Sequence, residues 1–255
     1  MNPLLEHILA HALPIGLRAG GMFTFAPFFS SEAIPARVKA GFTIVLTAML
    51  YGVVTVPEIP LSVDSWVRMV LSEAAIGLMM GLSVQLVMEG VQLAGQLAGT
   101  QLGFSLAAII DPQTNIETPV LNIFYQMIAM LIFLQLNVHH WMIRAVVKSF
   151  DYLPVGMTFG TAVGTRELMR AAGGMWLIGV QIAAPVLLAT MLVDVTVGFL
   201  SKASPQLPAM LIGISVKSLV GYTVLAASVV LWPGILESRF SDALGWTERL
   251  LHLVN

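Results

Sequence analysis

The sequence predicts an all-α integral membrane protein. Of its 255 residues, 57% are hydrophobic and 10% are charged, whereas a soluble domain carries about 25% charged residues. Apolar segments recur along the whole chain, and about 20 apolar residues are enough for a helix to cross a bilayer. Because backbone groups in hydrocarbon must be hydrogen-bonded within the protein, such segments fold as helices.

The first two helices are predicted at residues 4–29 and 40–56. Pro14 and Pro27 interrupt the first segment, and Arg18 lies inside it. A polar link with two cations, Arg37 and Lys39, precedes the second segment. We expect both helices to belong to one domain that spans residues 1–255.

The third helix, predicted at 69–103, carries a polar seam. The members recur at steps of four, three and four residues, with a last one slightly off the line, so they share one helical face. They are Gln85, Glu89, Gln92, Gln96 and Gln101. Gly95, Gly99 and Gly103 have the spacing that lets helices approach closely. Unpaired amides are costly in hydrocarbon, so the seam must contact another helix of the chain, another subunit or the water of a pore.

A loop is predicted at residues 104–119. Proline lacks the backbone donor and disfavours helix in the residue before it, so Asp111-Pro112 and Pro119 end any helix. Thr114 and Asn115 favour a turn, and with Gln113 they make the centre polar. Apolar residues nevertheless border the loop: Phe104, Leu106, Ile109, Ile110 and Ile116. It is either an interfacial turn or irregular backbone at membrane depth, which only protein or a cavity can accommodate.

Three further helices are predicted at 120–143, 171–200 and 209–232. The polar region Arg144 to Arg170 separates the first two, and a Ser/Pro-rich link precedes the last. The tail, 233–255, is amphipathic and typical of an interfacial or partner-facing helix.

Three acids lie inside apolar runs: Glu73, Glu89 and Asp194. Each costs about 2.5–3.5 kcal/mol at a helix centre, so each is a functional candidate. They either pair with Arg or Lys or handle ions and protons. A secondary transporter with its own small-solute or ion site is therefore the alternative function, because such transporters also carry broken helices around buried polar sites.

No catalytic, cofactor or metal site is predicted. The chain has no phosphate-binding loop and no nucleophile elbow. His139-His140 point about 100° apart on a helix and lack a carboxylate at ligand spacing. The net charge of −2 provides no basic surface for nucleic acid, and cysteine is absent, which excludes disulfides.

The charge distribution conflicts with a simple bundle. Cationic links belong on the cytoplasmic side. If all six segments span, Arg37 and Lys39 lie on the side opposite to the cations between Arg144 and Arg170. Either one segment does not cross the membrane, or the chain is not an ordinary lipid-embedded bundle.

A set of motifs in fixed order resembles the FliR/SctT family of type III secretion export-gate subunits, with the flagellar branch favoured by the stretch from Asp111 to Leu121. The motifs are Gly103-Phe104-Ser105, Asp111-Pro112, Pro119-Val120-Leu121, Asn137 with His139, Leu153-Pro154-Val155-Gly156, Ala184-Pro185, Ala203-Ser204-Pro205-Gln206-Leu207 and Ile212-Gly213. The sequence departs from the family at Val138, where glycine is frequent, and at Ile214-Ser215, where Phe-Pro is common.

The resemblance implies a helical spiral of kinked helical hairpins shared with the sister subunits FliP and FliQ. It implies an export pore for unfolded flagellar substrates, located in the inner membrane within the flagellar basal body, with FlhB docking on the closed gate. The loop centred on Ile109 to Ile116 would enter and plug that pore. The resemblance implies no enzymatic activity and no cofactor.

Overall fold

The computed structural model describes residues 3–29, 34–54, 56, 62–102, 120–156, 161–204, 206 and 209–245. Within these ranges every regular element is a helix, which confirms the all-α prediction. The helices are α1 (Pro3–Phe25), α2 (Ala36–Leu50), α3 (Val63–Gln101), α4 (Val120–Gln135), α5 (Val138–Tyr152), α6 (Thr161–Ala203), α7 (Ala209–Ser228) and α8 (Trp232–Leu244), with a 3-10 turn, Val229–Leu231, between the last two.

Several helix ends differ from the predicted bounds. Helix α1 ends at Phe25 and not at 29, because Ala26 precedes a proline and the helical conformation is disfavoured there. Helix α2 ends at Leu50 and not at 56, and a turn follows at 51–53. Helix α6 begins at Thr161, ahead of the predicted 171. Hydropathy locates the apolar part of a helix, whereas its backbone hydrogen bonds continue through polar residues.

The predicted helix 120–143 is instead two helices, α4 and α5, bent by 61°. Asn137 separates them with a φ of 55°, and asparagine is one of the few residues that tolerate this left-handed conformation. Helix α5 continues into the polar region and places Arg144 and Lys148 on its exposed side. Of the predicted tail 233–255, residues 233–244 belong to α8, which begins at Trp232, and residues 246–255 lie outside the described part.

Among the described residues, three helical stretches are long and apolar enough to cross a membrane: Val63–Gln101, Thr165–Ala203 and Ile212–Leu244. The bent pair α4–α5 would make a fourth if it counts as one broken span. Within the described residues, length and composition thus support three or four spans.

The chain forms two compact units. One unit comprises residues Met1–Leu86, Phe133–Ala172 and Arg239–Asn255. Its core joins α1, the first part of α3, α5 and the end of α8 through fully or almost fully buried apolar side chains. These include Ile15, Met22, Met69, Ile76, Met80, Val138, Met142, Val146 and Phe240.

The other unit comprises Val87–Ile132 and Gly173–Ser238. Its core is built from the second part of α3, α4, α6, α7 and the start of α8. Tyr125 and Trp232 are fully buried, and their rings pack at a tilt of 47° with centroids 4.7 Å apart. The other core residues include Val91, Ala94, Ala98, Ala129, Ile182, Ala183, Val186, Leu225 and Leu236.

Candidate functional site

The end of α3, where the predicted loop begins, is held by α7. Leu102 is buried, and its backbone N–H donates to the carbonyl of Ala98 at 2.9 Å. The Ser218 hydroxyl donates to the Leu102 carbonyl at 3.4 Å. Gly221 faces the Leu102 side chain so closely that a Cβ there would overlap its Cδ2 atom. The absent side chain of Gly221 thus provides the space that Leu102 fills.

The start of α4, where the loop ends, contacts α3 at Gly95. A Cβ on Gly95 would lie 2.8 Å from Asn122 Oδ1 and 3.2 Å from Tyr125 Cβ. Asn122 and Tyr125 are both buried. The small residue therefore lets α4 lie directly against the backbone of α3. Gly99 is also buried, and Gly103 lies outside the described residues.

The ten predicted plug residues all lie outside the described residues. They are Phe104, Leu106, Ile109, Ile110, Asp111, Pro112, Gln113, Thr114, Asn115 and Ile116. The structure describes the two chain ends between which they lie, Leu102 and Val120, and both belong to the same compact unit.

The polar seam lies on one uninterrupted helix. Helix α3 runs from Val63 to Gln101 without a break, so the four regularly spaced members keep a common face. Gln85, Glu89, Gln92 and Gln101 are partly buried, and Gln96 is exposed. In the described chain, Gln96 is thus the seam residue that is most open to another subunit or to water.

Two of the three acids in apolar runs are paired with cations. Asp194 on α6 contacts Lys217 on α7, with 2.6 Å between Oδ2 and Nζ. Glu73 on α3 contacts Arg18 on α1, with 2.6 Å between Oε2 and Nε. For both acids, the predicted pairing with Arg or Lys is therefore confirmed. Neither carboxylate is an unpaired charge in the described structure.

Arg18 is the centre of a buried polar cluster. Its side chain and that of Glu73 are both 0% exposed. The guanidinium also donates to Ser149 Oγ and to the Leu153 carbonyl, each at 2.9 Å, and its Cζ lies 3.9 Å from the centre of the Phe150 ring. One cation thus connects α1, α3 and the end of α5.

The sequence shows Arg18 and Glu73 separately in two apolar segments. It predicts neither that they pair with each other nor that Ser149 contributes. The available signal was that Arg18 is the single cation inside the first apolar segment, which requires a buried acid as partner.

The surface of the second unit is rich in exposed apolar side chains. They lie mainly on α6 and α7, and several expose more than three fifths of their area. Examples are Leu188, Met191, Leu192, Phe199 and Leu219. Contiguous apolar surface of this kind marks a membrane or protein contact.

No metal centre is formed by the part of the chain that the structure describes, since no three His, Cys, Asp or Glu side chains come together there. His139 and His140 lie next to each other, with ring centroids 4.2 Å apart.

Comparison with known proteins agrees with this architecture. The profile of the family "Bacterial export proteins, family 1" matches residues 9–243. The flagellar biosynthetic protein FliR of Bacillus subtilis strain 168 is 28% identical over 258 residues, which cover 100% of this chain and 99% of the relative. That of Escherichia coli K12 is 28% identical over 226 residues, 89% of this chain and 87% of the relative. The FliR protein of Caulobacter vibrioides is 25% identical over 240 residues, which cover 93% of this chain and 92% of the relative.

The match extends over almost the whole chain and includes both units and the helices on either side of the loop. The family consists of export components, whose role is structural or in transport and not catalytic. The chain therefore belongs to the FliR family of bacterial export proteins and is a membrane subunit of the flagellar type III export apparatus, located in the inner membrane within the flagellar basal body.

Proposed function

We propose that this chain forms, together with FliP- and FliQ-like subunits, the export pore through which unfolded flagellar substrates leave the cytoplasm, and that its loop 104–119 plugs the closed pore. As a component of the export apparatus, the chain has partners in that membrane-associated machinery. An FlhB-like protein docks on the closed gate in this proposal.

The observation that carries the proposal is how the two loop ends are held. Leu102 fits against Gly221 and is bonded by Ser218, while Asn122 lies against Gly95. A segment that has to block a pore against ions needs such fixed ends. The loop sequence between them is interrupted by prolines and carries the apolar residues Phe104, Leu106, Ile109, Ile110 and Ile116. An apolar constriction excludes water and ions by dewetting.

The exposed apolar surface supports the assembly with sister subunits. Helix α2 has only 15 residues, fewer than the 20 or so that cross a bilayer, yet Ile44, Val45 and Met49 on it are mostly exposed. Contact with neighbouring subunits removes this surface from solvent without requiring α2 to span the membrane.

Deletion of residues 109–116 is expected to leave the assembled complex intact and to raise the ion conductance of the closed gate. The reason is that the loop acts by occupying space, and its removal leaves an open water path. The measurement is ion or small-solute leakage into cells or proteoliposomes that carry the complete gate.

Two matched triple variants distinguish the effect of side-chain volume in the loop from the effect of its apolar character. Replacing Ile109, Ile110 and Ile116 by valine keeps an apolar constriction and should leave the gate closed. Replacing the same three residues by serine should wet the constriction and cause leakage. If a correctly assembled deletion variant conducts no more than the unaltered gate, the plug role is refuted.

A further inference from the structure

We propose that the ion pair between Asp194 and Lys217 is a positioning contact, which holds α7 at a fixed register on α6 and thereby keeps Leu102 seated on α7. Leu102 is the last described residue before the loop 104–119. This inference rests on the proposed function. It adds that two residues outside the loop keep the gate closed by holding the end of α3 in place.

Three successive contacts join α6 to α7. Along α6 toward its start, and along α7 toward its end, they are Val197 with Gly213, Asp194 with Lys217, and Thr190 with Gly221. This order shows that the two helices run antiparallel. Both outer contacts are glycines packed against methyl groups. The middle contact is polar, with 2.6 Å between Asp194 Oδ2 and Lys217 Nζ. The ion pair is thus the polar member of a continuous helix contact.

Gly221 marks the place where the end of α3 joins this contact. A Cβ on Gly221 would lie 3.2 Å from Thr190 Cγ2 on α6 and 3.4 Å from Leu102 Cγ. Thr190 is fully buried, and its hydroxyl donates to the carbonyls of Val186 and Leu187 at 2.8 and 3.1 Å. These bonds hold the methyl group of Thr190 against α7. Leu102 therefore packs where α6 and α7 meet, and a shift of α7 along α6 changes the space that Leu102 fills.

Lys217 lies on the same part of α7 as the groups that contact Leu102. It directly precedes Ser218, whose hydroxyl donates to the Leu102 carbonyl at 3.4 Å, and it lies about one helical turn before Gly221. A hydrogen bond of 3.4 Å is long and weak, so the packing of Leu102 against Gly221 is the main contact. A movement of Lys217 along α6 thus displaces both groups that contact Leu102.

The ion pair fixes the register because both charges lie in apolar surroundings. Asp194 and Lys217 belong to the stretches Thr165–Ala203 and Ile212–Leu244, which are long and apolar enough to cross a membrane. A charge that loses its partner in such a stretch is strongly unfavourable. Packed helices can shift past each other by one turn, about 5.4 Å, and glycine has no side chain that would interlock against such a shift. The shift would separate Lys217 from Asp194.

The first experiment compares Lys217→Met with Lys202→Met, the same substitution at an exposed lysine in the last turn of α6. The complete gate is co-expressed with its FliP- and FliQ-like subunits. Lys217→Met should raise the ion leak per assembled gate about fivefold or more, the lower end of the usual coupling between two sites. It should also speed hydrogen exchange of the Leu102 amide, which donates to Ala98, because the end of α3 opens more often. Lys202→Met should change neither quantity.

Asp194→Asn tests the other member of the pair. Asparagine keeps the size of the side chain and an oxygen that accepts from Lys217, but it removes the charge. The leak should therefore rise less than in Lys217→Met. This conservative variant also decides the question if Lys217→Met does not assemble. If the ion pair only neutralises charge within the membrane, each variant that assembles keeps a closed gate, and the inference is overturned.

A disulfide tests whether the ion pair acts through the register of the helices. A Cβ on Gly213 would lie 3.7 Å from Val197 Cβ, within the range of about 3.5–4.5 Å that disulfides require. The chain has no cysteine of its own, so Val197→Cys with Gly213→Cys can be added to Lys217→Met. In the oxidised form the cross-link replaces the ion pair, and the leak should return close to that of the unaltered gate. Reduction should restore the leak. A leak that persists after complete cross-linking would contradict the role of the register.

The outcomes distinguish this inference from the proposed function, with deletion of residues 109–116 as the reference. If the deletion variant assembles and does not leak, the proposed function itself fails. If the deletion variant leaks while assembled Lys217→Met keeps either the leak or the Leu102 exchange rate of the unaltered gate, the pore and its plug stand. The ion pair is then not a positioning contact.

Discussion

Replacing Glu73 by alanine is expected to lower the free energy of unfolding by about 3–5 kcal/mol, the usual cost of leaving one member of a buried ion pair without its partner. Arg18 would remain fully buried. Its bonds to Ser149 Oγ and the Leu153 carbonyl satisfy part of the guanidinium, but neither neutralises its charge. The measurement is reversible unfolding of the purified chain in detergent micelles, followed by circular dichroism.

Two further variants separate the charge from the rest of the contact. Glu73→Gln retains an acceptor oxygen for Arg18 Nε and should cost less than the alanine variant. The double variant Arg18→Met with Glu73→Leu removes both charges and fills similar volume, and such replacements are often neutral or stabilising. It should recover most of the stability that Glu73→Ala loses. If the double variant is as unstable as the sum of the two single losses, the cluster does not act as an ion pair.

Replacing Gly77 by alanine is expected to lower the free energy of unfolding by about 1–3 kcal/mol or more, the range for overpacked contacts. A Cβ on Gly77 would overlap the backbone carbonyl of Arg18, and one on Gly81, a turn later, would overlap that of Met22. Backbone atoms cannot rotate away as a side chain can, so α1 and α3 must separate. The separation would also pull Arg18 away from Glu73, which lies one turn before Gly77.

Gly41→Ala is the matched control. Gly41 lies on α2 in the same compact unit, and a Cβ there would meet no atom within 4 Å. A helical glycine in open space gains about 0.5–1 kcal/mol on replacement by alanine. The two substitutions are chemically identical and should have opposite signs. Equal shifts in melting temperature for both would contradict the close approach of α1 and α3.

The sequence predicted the all-α class because long apolar segments with few charges fold as helices in a membrane protein. It predicted the close helix contacts less completely. The glycine spacing at Gly77 and Gly81 indicates that some helix approaches, but it does not say which one. Similarly, Arg18 and Glu73 are 55 positions apart, and only the register of α1 on α3 brings them together.

The bend at Asn137 shows another limit of what the sequence predicts about the helices. The residues Gln135 to Val138 contain neither glycine nor proline, so no strong helix breaker marks the bend in the sequence. The left-handed conformation of one asparagine, with a φ of 55°, nonetheless ends α4 and turns α5 by 61°. The predicted loop shows a third limit of the sequence. Its prolines exclude a helix but do not determine the course of the backbone. The contacts at Leu102 and Asn122, which the sequence does not reveal, fix the two ends of the loop.

The shortness of α4 has a consequence for the surrounding bilayer. With 16 residues, α4 is about 24 Å long, roughly 6 Å shorter than a hydrocarbon core of about 30 Å. Val120, Met127 and Leu131 on it are mostly exposed. In lipid, such a helix thins the bilayer around it at a cost of fractions of a kcal/mol per Å of difference. Oligomerisation is one of the ways in which a short membrane helix reduces such a mismatch.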